Sequence, residues 1–281
     1  MDIANGFLLL LIGILAGGYG TIVGAGGGFI FVPAMLLIFG MEPAVAAGSG
    51  LVIVLINSLS GVIGYAKKNK IKYKIGLNIG IGALPGSIIG VWLLQLYSSS
   101  YFYVIFSTIL VSLGILLFSR NLPKKLKKHV PIEEYSYVAA ASSEGNNGSH
   151  HSIVGGDKKD EHSKFMEKWL IPLGILIGIL SSYLGIGGGW LLVPILIYVF
   201  RVPAHFATAT SIFSLCLYST IGVLMQIFYG NIDWTAVIFG GMGVIVGSQI
   251  GVFISGKIPG KIILQMLSVL LIIIGFRMYF N

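Results

Sequence analysis

The residues in this chain whose types and spacing suit chemistry are glycines. Gly24-Ala25-Gly26-Gly27-Gly28-Phe29-Ile30-Phe31-Val32-Pro33 breaks a long apolar run, and it returns 161 positions later as Gly185-Ile186-Gly187-Gly188-Gly189-Trp190-Leu191-Leu192-Val193-Pro194. Three adjacent glycines cost a helix roughly 1 kcal/mol each relative to alanine, so two such breaks at matching places need a cause. Inside a bilayer, non-helical backbone persists only where protein buries it or where it lines a cavity. A pair of glycine-broken segments in corresponding halves points to a transporter's binding site. The chemistry on offer is anion binding. A helix that starts after each break presents free backbone N–H groups and about half a positive charge, which can hold a sulfate-like group without a buried lysine or arginine. Gly26, Gly27, Gly28, Gly187, Gly188 and Gly189 are therefore the leading candidate binding residues. Consecutive glycines make no single packing stripe, and Pro33 and Pro194 would each remove a helix hydrogen bond to no purpose if the breaks were decorative.

Further candidates lie in the spans that follow. Ser49, Thr210 and Ser211 carry hydroxyls that can donate to an oxyanion without adding charge; the alternative for each is back-bonding to a helix carbonyl. Asn57 and Tyr218 occupy equivalent positions, and a deep amide is costly unless used, which favours Asn57. Gln249 and Asn78 rank lower because either can simply bridge helices. Asp2, Glu42 and Asp233 fall at span edges and no acid falls inside a span, which argues against a carboxylate proton relay. An intramembrane hydrolase would need a nucleophile beside a histidine or an acid pair, and His205 near Ser211 is the one sketch of that. His205 reads better as an interfacial polar residue. Cys216 is the single cysteine, so no disulfide or thiol pair is expected. No catalytic residue, cofactor or metal is expected either, since His150, His151 and His162 lie in a polar tract without a rigid scaffold. A passive anion channel is the nearer rival to a transporter, because the same two breaks would serve it.

Positioning these groups takes a membrane. The chain has 281 residues, of which 56% are hydrophobic and 10% charged, and its mean hydropathy is +0.92. That composition specifies an all-α polytopic membrane protein; the continuous apolar runs do not fit the alternating ten-residue segments of a transmembrane barrel. The stretch from Asp2 to Gly24 lacks the basic flank and cleavage site of a signal peptide. The formal charge of +8 lies almost wholly in loops beside the membrane, so the bilayer is the expected partner and nucleic acid is not. Gly6 to Gly40 would run about 52 Å as one helix against a hydrocarbon core of roughly 30 Å, so the break folds it into a hairpin. Three single spans follow: Ala44 to Ala66, Ile75 to Leu96 and Phe102 to Ser119.

The second half replays the first as Trp169 to Phe200, Phe206 to Phe228, Trp234 to Ser255 and Ile262 to Phe280. Residues 1–119 form one membrane repeat and 169–281 the other. Residues 120–168 read as a cytoplasmic linker, whose Gly/Ser/Asn-rich centre cannot bury enough apolar area to fold. Gly82, Gly86 and Gly90 match Gly243, Gly247 and Gly251, and their four-residue spacing reads as close helix packing rather than a site. Basic loops sit at opposite positions in the two halves: Lys67 to Lys74 in the first, Arg201 and Lys257 to Lys261 in the second. That is the mark of inverted-topology repeats. With the linker and both basic regions inside and both termini outside, 17 of the 18 Lys and Arg residues fall on the cytoplasmic side, Arg277 being the exception. Each hairpin then enters and leaves on one face, and two helix N-termini meet near mid-membrane.

Two halves that each open with G-x-G-G-G-[FW]-[IL]-x-V-P and continue into A-x-[GA]-[ST]-[GS]-[LI] resemble the TauE/SafE sulfite exporter family, also called the TSUP permeases. The resemblance covers all but the linker. It implies transport across the cell membrane of small sulfur-containing anions such as sulfite, sulfonates, sulfoacetate or thiosulfate. The first-half copy, Ala46-Ala47-Gly48-Ser49-Gly50-Leu51, has Ser49-Gly50 where the second keeps Thr210-Ser211.

Overall fold

The computed structural model describes residues 3–96, 100–121 and 157–279, and every regular element among them is a helix. Asp2, residues 122–156 of the linker with His150 and His151, and the side chain of His162 lie outside the described residues. The first half holds α1 (Ile3–Val23), α2 (Gly28–Leu37), α3 (Pro43–Lys67), α4 (Tyr73–Leu96) and α5 (Ser100–Asn121). The second holds α6 (Asp157–Leu184), α7 (Gly189–Tyr198), α8 (Ala204–Tyr229), α9 (Trp234–Ser255) and α10 (Gly260–Tyr279). Seven of these helices are long and apolar enough to cross a membrane. Both glycine breaks end one helix and start a short one, α2 and α7, of 10 residues each. At 1.5 Å per residue these short helices reach about halfway through a bilayer. α6 begins at Asp157, so its helix extends back into the tail of the stretch read as linker.

Local chemistry sets the ends. Pro43 opens α3 at its first turn, where its missing N–H costs nothing. Asp233 caps α9 by accepting from the Ala236 N–H at 2.9 Å. Gly230, at φ +72°, closes α8 in the left-handed conformation. Large apolar side chains such as Phe7, Leu15, Trp92, Phe253 and Phe276 stand exposed on the outer faces, as lipid contact requires.

The two halves are laced together. α1 packs on α9, α6 on α4, α4 on α8, α3 on α9, α3 on α8 and α5 on α10. Exchanging the halves leaves every one of these pairings in place. The long arm of each hairpin, α1 or α6, therefore packs most extensively on the opposite half, and small residues are the reason. A methyl group on Gly82, Gly86 or Gly90 would run into the backbone carbonyls of Ile171, Ile175 and Ile179 on α6, and Gly243, Gly247 and Gly251 face the carbonyls of Leu10, Ile14 and Gly18 on α1 in the same way. Backbones approach this closely only where no side chain intervenes, which is how helices associate when lipid offers no hydrophobic drive.

These contacts also give direction. Gly6 meets Phe239, Gly17 meets Val244 and Gly251 meets Gly18, so α1 runs parallel to α9 from the end that carries Asp233. α6 runs parallel to α4 from the other end, where Lys68 Nζ donates to the Val252 carbonyl at 2.6 Å. At that end the Lys70 and Lys72 ammonium groups lie 4.9 and 5.2 Å from the centre of the Phe206 ring. The α3–α4, α7–α8 and α9–α10 loops thus share one basic end, with Lys67 to Lys74, Arg201, Lys257 and Lys261. Glu42 and Asp233 mark the opposite one.

Candidate functional site

The two glycine turns meet in the middle of the bundle. Each carries two left-handed glycines at equivalent positions, Gly24 (φ +79°) and Gly26 (φ +76°) in one and Gly185 (φ +70°) and Gly187 (φ +76°) in the other. An L side chain rarely adopts these angles, and each turn reverses the chain with them. Gly26 to Gly28 and Gly187 to Gly189 are all buried. A methyl group on Gly28 would lie 2.8 Å from the Gly185 carbonyl oxygen, and one on Gly189 would collide with the Gly24 carbonyl oxygen. The six candidate glycines are therefore brought together, tip against tip. The contact is crossed: the carbonyl that ends α1 faces the start of α7, and the carbonyl that ends α6 faces the start of α2. The carbonyl oxygens of Gly24 and Gly185 thus lie beside Gly189 and Gly28, the first residues of α7 and α2.

Two residues that the sequence reading did not single out wall this meeting point. Val54 and Leu215, also 161 apart, both stand 3.1 Å from where a Gly26 side chain would begin, and Gly187 meets the same pair. Each lies near the middle of its helix, α3 or α8. Their shared offset was a signal that could have found them, but apolar residues in apolar spans do not stand out.

Ser49, Thr210 and Ser211 are separated by the fold into two jobs. Ser49 Oγ accepts from the backbone N–H of Asp233 at 2.9 Å, and Thr210 Oγ1 accepts from that of Lys72 at 3.0 Å. Lys72 and Asp233 are equivalent residues at the starts of α4 and α9, so these two hydroxyls pin the loops at opposite ends of the bundle. Ser211 reaches the turn itself and donates to the Gly24 carbonyl at 2.7 Å. Its counterpart Gly50 has no room for a side chain, since a methyl group there would sit 2.6 Å from the Gly185 carbonyl oxygen. The Ser49-Gly50 departure from Thr210-Ser211 thus reflects a closer approach of the second turn to α3. Because the Ser211 hydroxyl engages Gly24, it is not poised against His205 as a nucleophile would be.

Asn57 and Tyr218 both serve the middle glycine of a triplet. With its amide oriented to pair every atom, Asn57 donates to Thr21 Oγ1 at 2.9 Å and to the Gly17 carbonyl at 3.1 Å, and accepts from the Gly27 N–H at 3.3 Å. Tyr218 accepts from the Gly188 N–H at 2.8 Å. Asn57 and Tyr218 are fully buried. Gln249 bridges α9 to α3 by donating to the Ser60 carbonyl at 2.9 Å and to Ser60 Oγ at 2.7 Å.

Short helices that cross half the bundle and meet tip to tip among full spans are the build of a multi-pass membrane transporter. Residues 9–278 match the family described as Sulfite exporter TauE/SafE, and the chain belongs to that family. It is 29% identical to the probable membrane transporter protein YunE of Bacillus subtilis over 98% of this chain and 97% of that protein. A probable membrane transporter protein of Methanocaldococcus jannaschii is 30% identical over 96% of this chain and 94% of its own length. A second Bacillus subtilis relative, the probable membrane transporter protein YjnA, is 20% identical over 96% of this chain and 98% of its own. No solved structure matches the chain.

Proposed function

We propose that this membrane transporter carries small sulfur-containing anions of the sulfite, sulfonate, sulfoacetate or thiosulfate class, without enzymatic chemistry, and binds them at the hairpin tips. The observation that carries this reading is the mid-bundle meeting of two glycine turns, each opening a helix whose first N–H groups and dipole favour an anion. The family description supports the sulfur chemistry. The crossed contact supports alternating access. With the tips in contact, the carbonyls of Gly24 and Gly185 lie beside the first residues of α7 and α2, so on this reading an entering anion parts the tips. Ser211, Asn57, Ser49 and Thr210 complete the working unit, the first two by shaping the turns and the last two by tying them to the loops that move. The repeats are inverted with respect to the membrane, the basic end faces the cytoplasm and the linker with it, and both termini face outside.

Isothermal titration of the purified protein against sulfite, thiosulfate, sulfoacetate and sulfate tests substrate class and site together. Gly27→Val and Gly188→Val block backbone freedom and fill the space an oxyanion needs, so both should abolish binding. No binding by the unaltered protein, or unchanged affinity in both variants, would reject the reading. Flux in liposomes against an opposing anion gradient separates coupled transport from a channel. Sidedness is read with cysteines at Lys70 and Gly230 in a Cys216→Ser background. An impermeant thiol reagent added to intact cells should label position 230 and spare 70; the reverse pattern overturns the assigned orientation.

A further inference from the structure

The two tips do not offer an anion the same donors. In the first half the network behind the turn is saturated: Asn57 pairs with Thr21, Gly17 and Gly27. The equivalent network in the second half is open. Tyr218 accepts from Gly188, and its own proton has the Ser181 hydroxyl facing it. Ser182 Oγ makes no hydrogen bond, although its side chain is fully buried, and Ser181 Oγ has only the Tyr218 hydroxyl beside it. Ser182 stands where the first half has Thr21. Its hydroxyl faces α8 at Gly222, one turn beyond Tyr218, where a methyl group would sit 3.1 Å from it. A buried hydroxyl without a partner is unfavourable by the full loss of its hydration, which a ligand able to accept from it would relieve.

The space directly between the tips is a poor place for that occupant. Two carbonyl oxygens, of Gly24 and Gly185, project into it, and Val54 and Leu215 wall it. An anion there meets partial negative charge and methyl groups. Behind Gly188 it meets a backbone N–H at a helix start and the Tyr218 hydroxyl, beside a methyl group and the carbonyl of Ile177, with Ser181 and Ser182 one turn further along the same helix.

Building on the proposed anion-binding reading, we infer that the anion's oxygens are held by the second half alone, through the Gly188 N–H and the hydroxyls of Tyr218, Ser181 and Ser182. The first-half tip, closed by Asn57, acts as a fixed wall. On this view the substrate enters when α7 lifts from α6 and α8, and the Gly188 N–H exchanges Tyr218 for an anion oxygen while the Tyr218 hydroxyl turns to donate to the same anion.

The test is titration of sulfite, thiosulfate, sulfoacetate and sulfate into the purified full-length protein and its variants, with thermal unfolding of each variant recorded alongside. Tyr218→Phe and Ser182→Ala should each weaken binding of the preferred anion by roughly three- to tenfold, the range for one neutral hydrogen bond. Ser182→Thr keeps a hydroxyl in place and should retain affinity within about twofold, as should Thr21→Val at the mirror position. Trp190, the one buried tryptophan of four, follows the triplet directly, so its fluorescence should respond to the anion in the unaltered protein and fall silent in Ser182→Ala. Folded Ser182→Ala and Tyr218→Phe proteins with unchanged affinity overturn the inference, as does loss of binding in Ser182→Thr or an equal loss in Thr21→Val. If Gly27→Val and Gly188→Val abolish binding while the hydroxyl variants do not, the tips remain the site and only this assignment falls. If the unaltered protein binds none of the four anions, the functional reading falls first.

Discussion

The first and second hairpins share a backbone and differ in what holds it. At the turn, the second half places Ser211 against the Gly24 carbonyl, whereas the first half places the bare α-carbon of Gly50 against that of Gly185. Behind the turn, Asn57 closes a saturated network, whereas the second half leaves the Ser182 hydroxyl unpaired. At the basic end, Asn69 (φ 51°) and Arg201 (φ 52°) adopt left-handed backbone where the acidic end uses Gly230 and Gly40. Duplication copies a fold with its torsion angles. It leaves each copy free to change the side chains that fill it, and function can settle on one copy while the other supplies the frame.

Exchanging residues between the copies tests how far that freedom goes. Gly50→Ser gives the first half its partner's hydroxyl, but the added Cβ has only the space of the Gly185 carbonyl and Val32 to enter. It should destabilise the protein by about 1–3 kcal/mol, seen as a lower midpoint of thermal unfolding in detergent. A neutral result would show that the two turns are interchangeable. The reciprocal Ser211→Gly removes one buried hydrogen bond and loosens α8, a loss of about 1–2 kcal/mol by the same measurement, with the fold retained. The smallest effect has the opposite sign. Arg201 is exposed in a conformation that glycine adopts freely, so Arg201→Gly should raise the unfolding midpoint by an amount equivalent to roughly 1 kcal/mol or less. A drop would mean that the arginine side chain holds the basic end together.

The spans and both breaks were legible in the sequence because apolar length and glycine triplets are written locally. The boundaries of α3, α4, α8 and α9 follow the apolar runs to within a few residues. The packing role of Gly82, Gly86 and Gly90 was equally readable, and their contact with α6 agrees with it. Which helix would face them was not, since a small-residue stripe does not name its partner. That α1 pairs with α9 and α6 with α4 emerges only in three dimensions. The polar residues were harder. Ser49 and Thr210 read as anion donors from their types alone, and the N–H groups of Asp233 and Lys72 that they accept from were not foreseen, because a loop's backbone donors leave no trace in sequence. Asn57 outranked Tyr218 on the expense of a deep amide, yet both cap a triplet, and the unpaired Ser182 hydroxyl lies in the tyrosine's half.

The pairing of α1 with α9 also sets a schedule for biogenesis. α1 docks on α9, so from the moment α1 enters the bilayer until residues 234–255 follow it, the glycine face that α9 covers waits for its partner. α6, by contrast, finds α4 already in place. The hairpin of α1 and α2 is therefore made well before the helix it packs on, as α5 is made before α10. During that interval its broken backbone, the portion least suited to lipid, depends on whatever else in the membrane can shelter it.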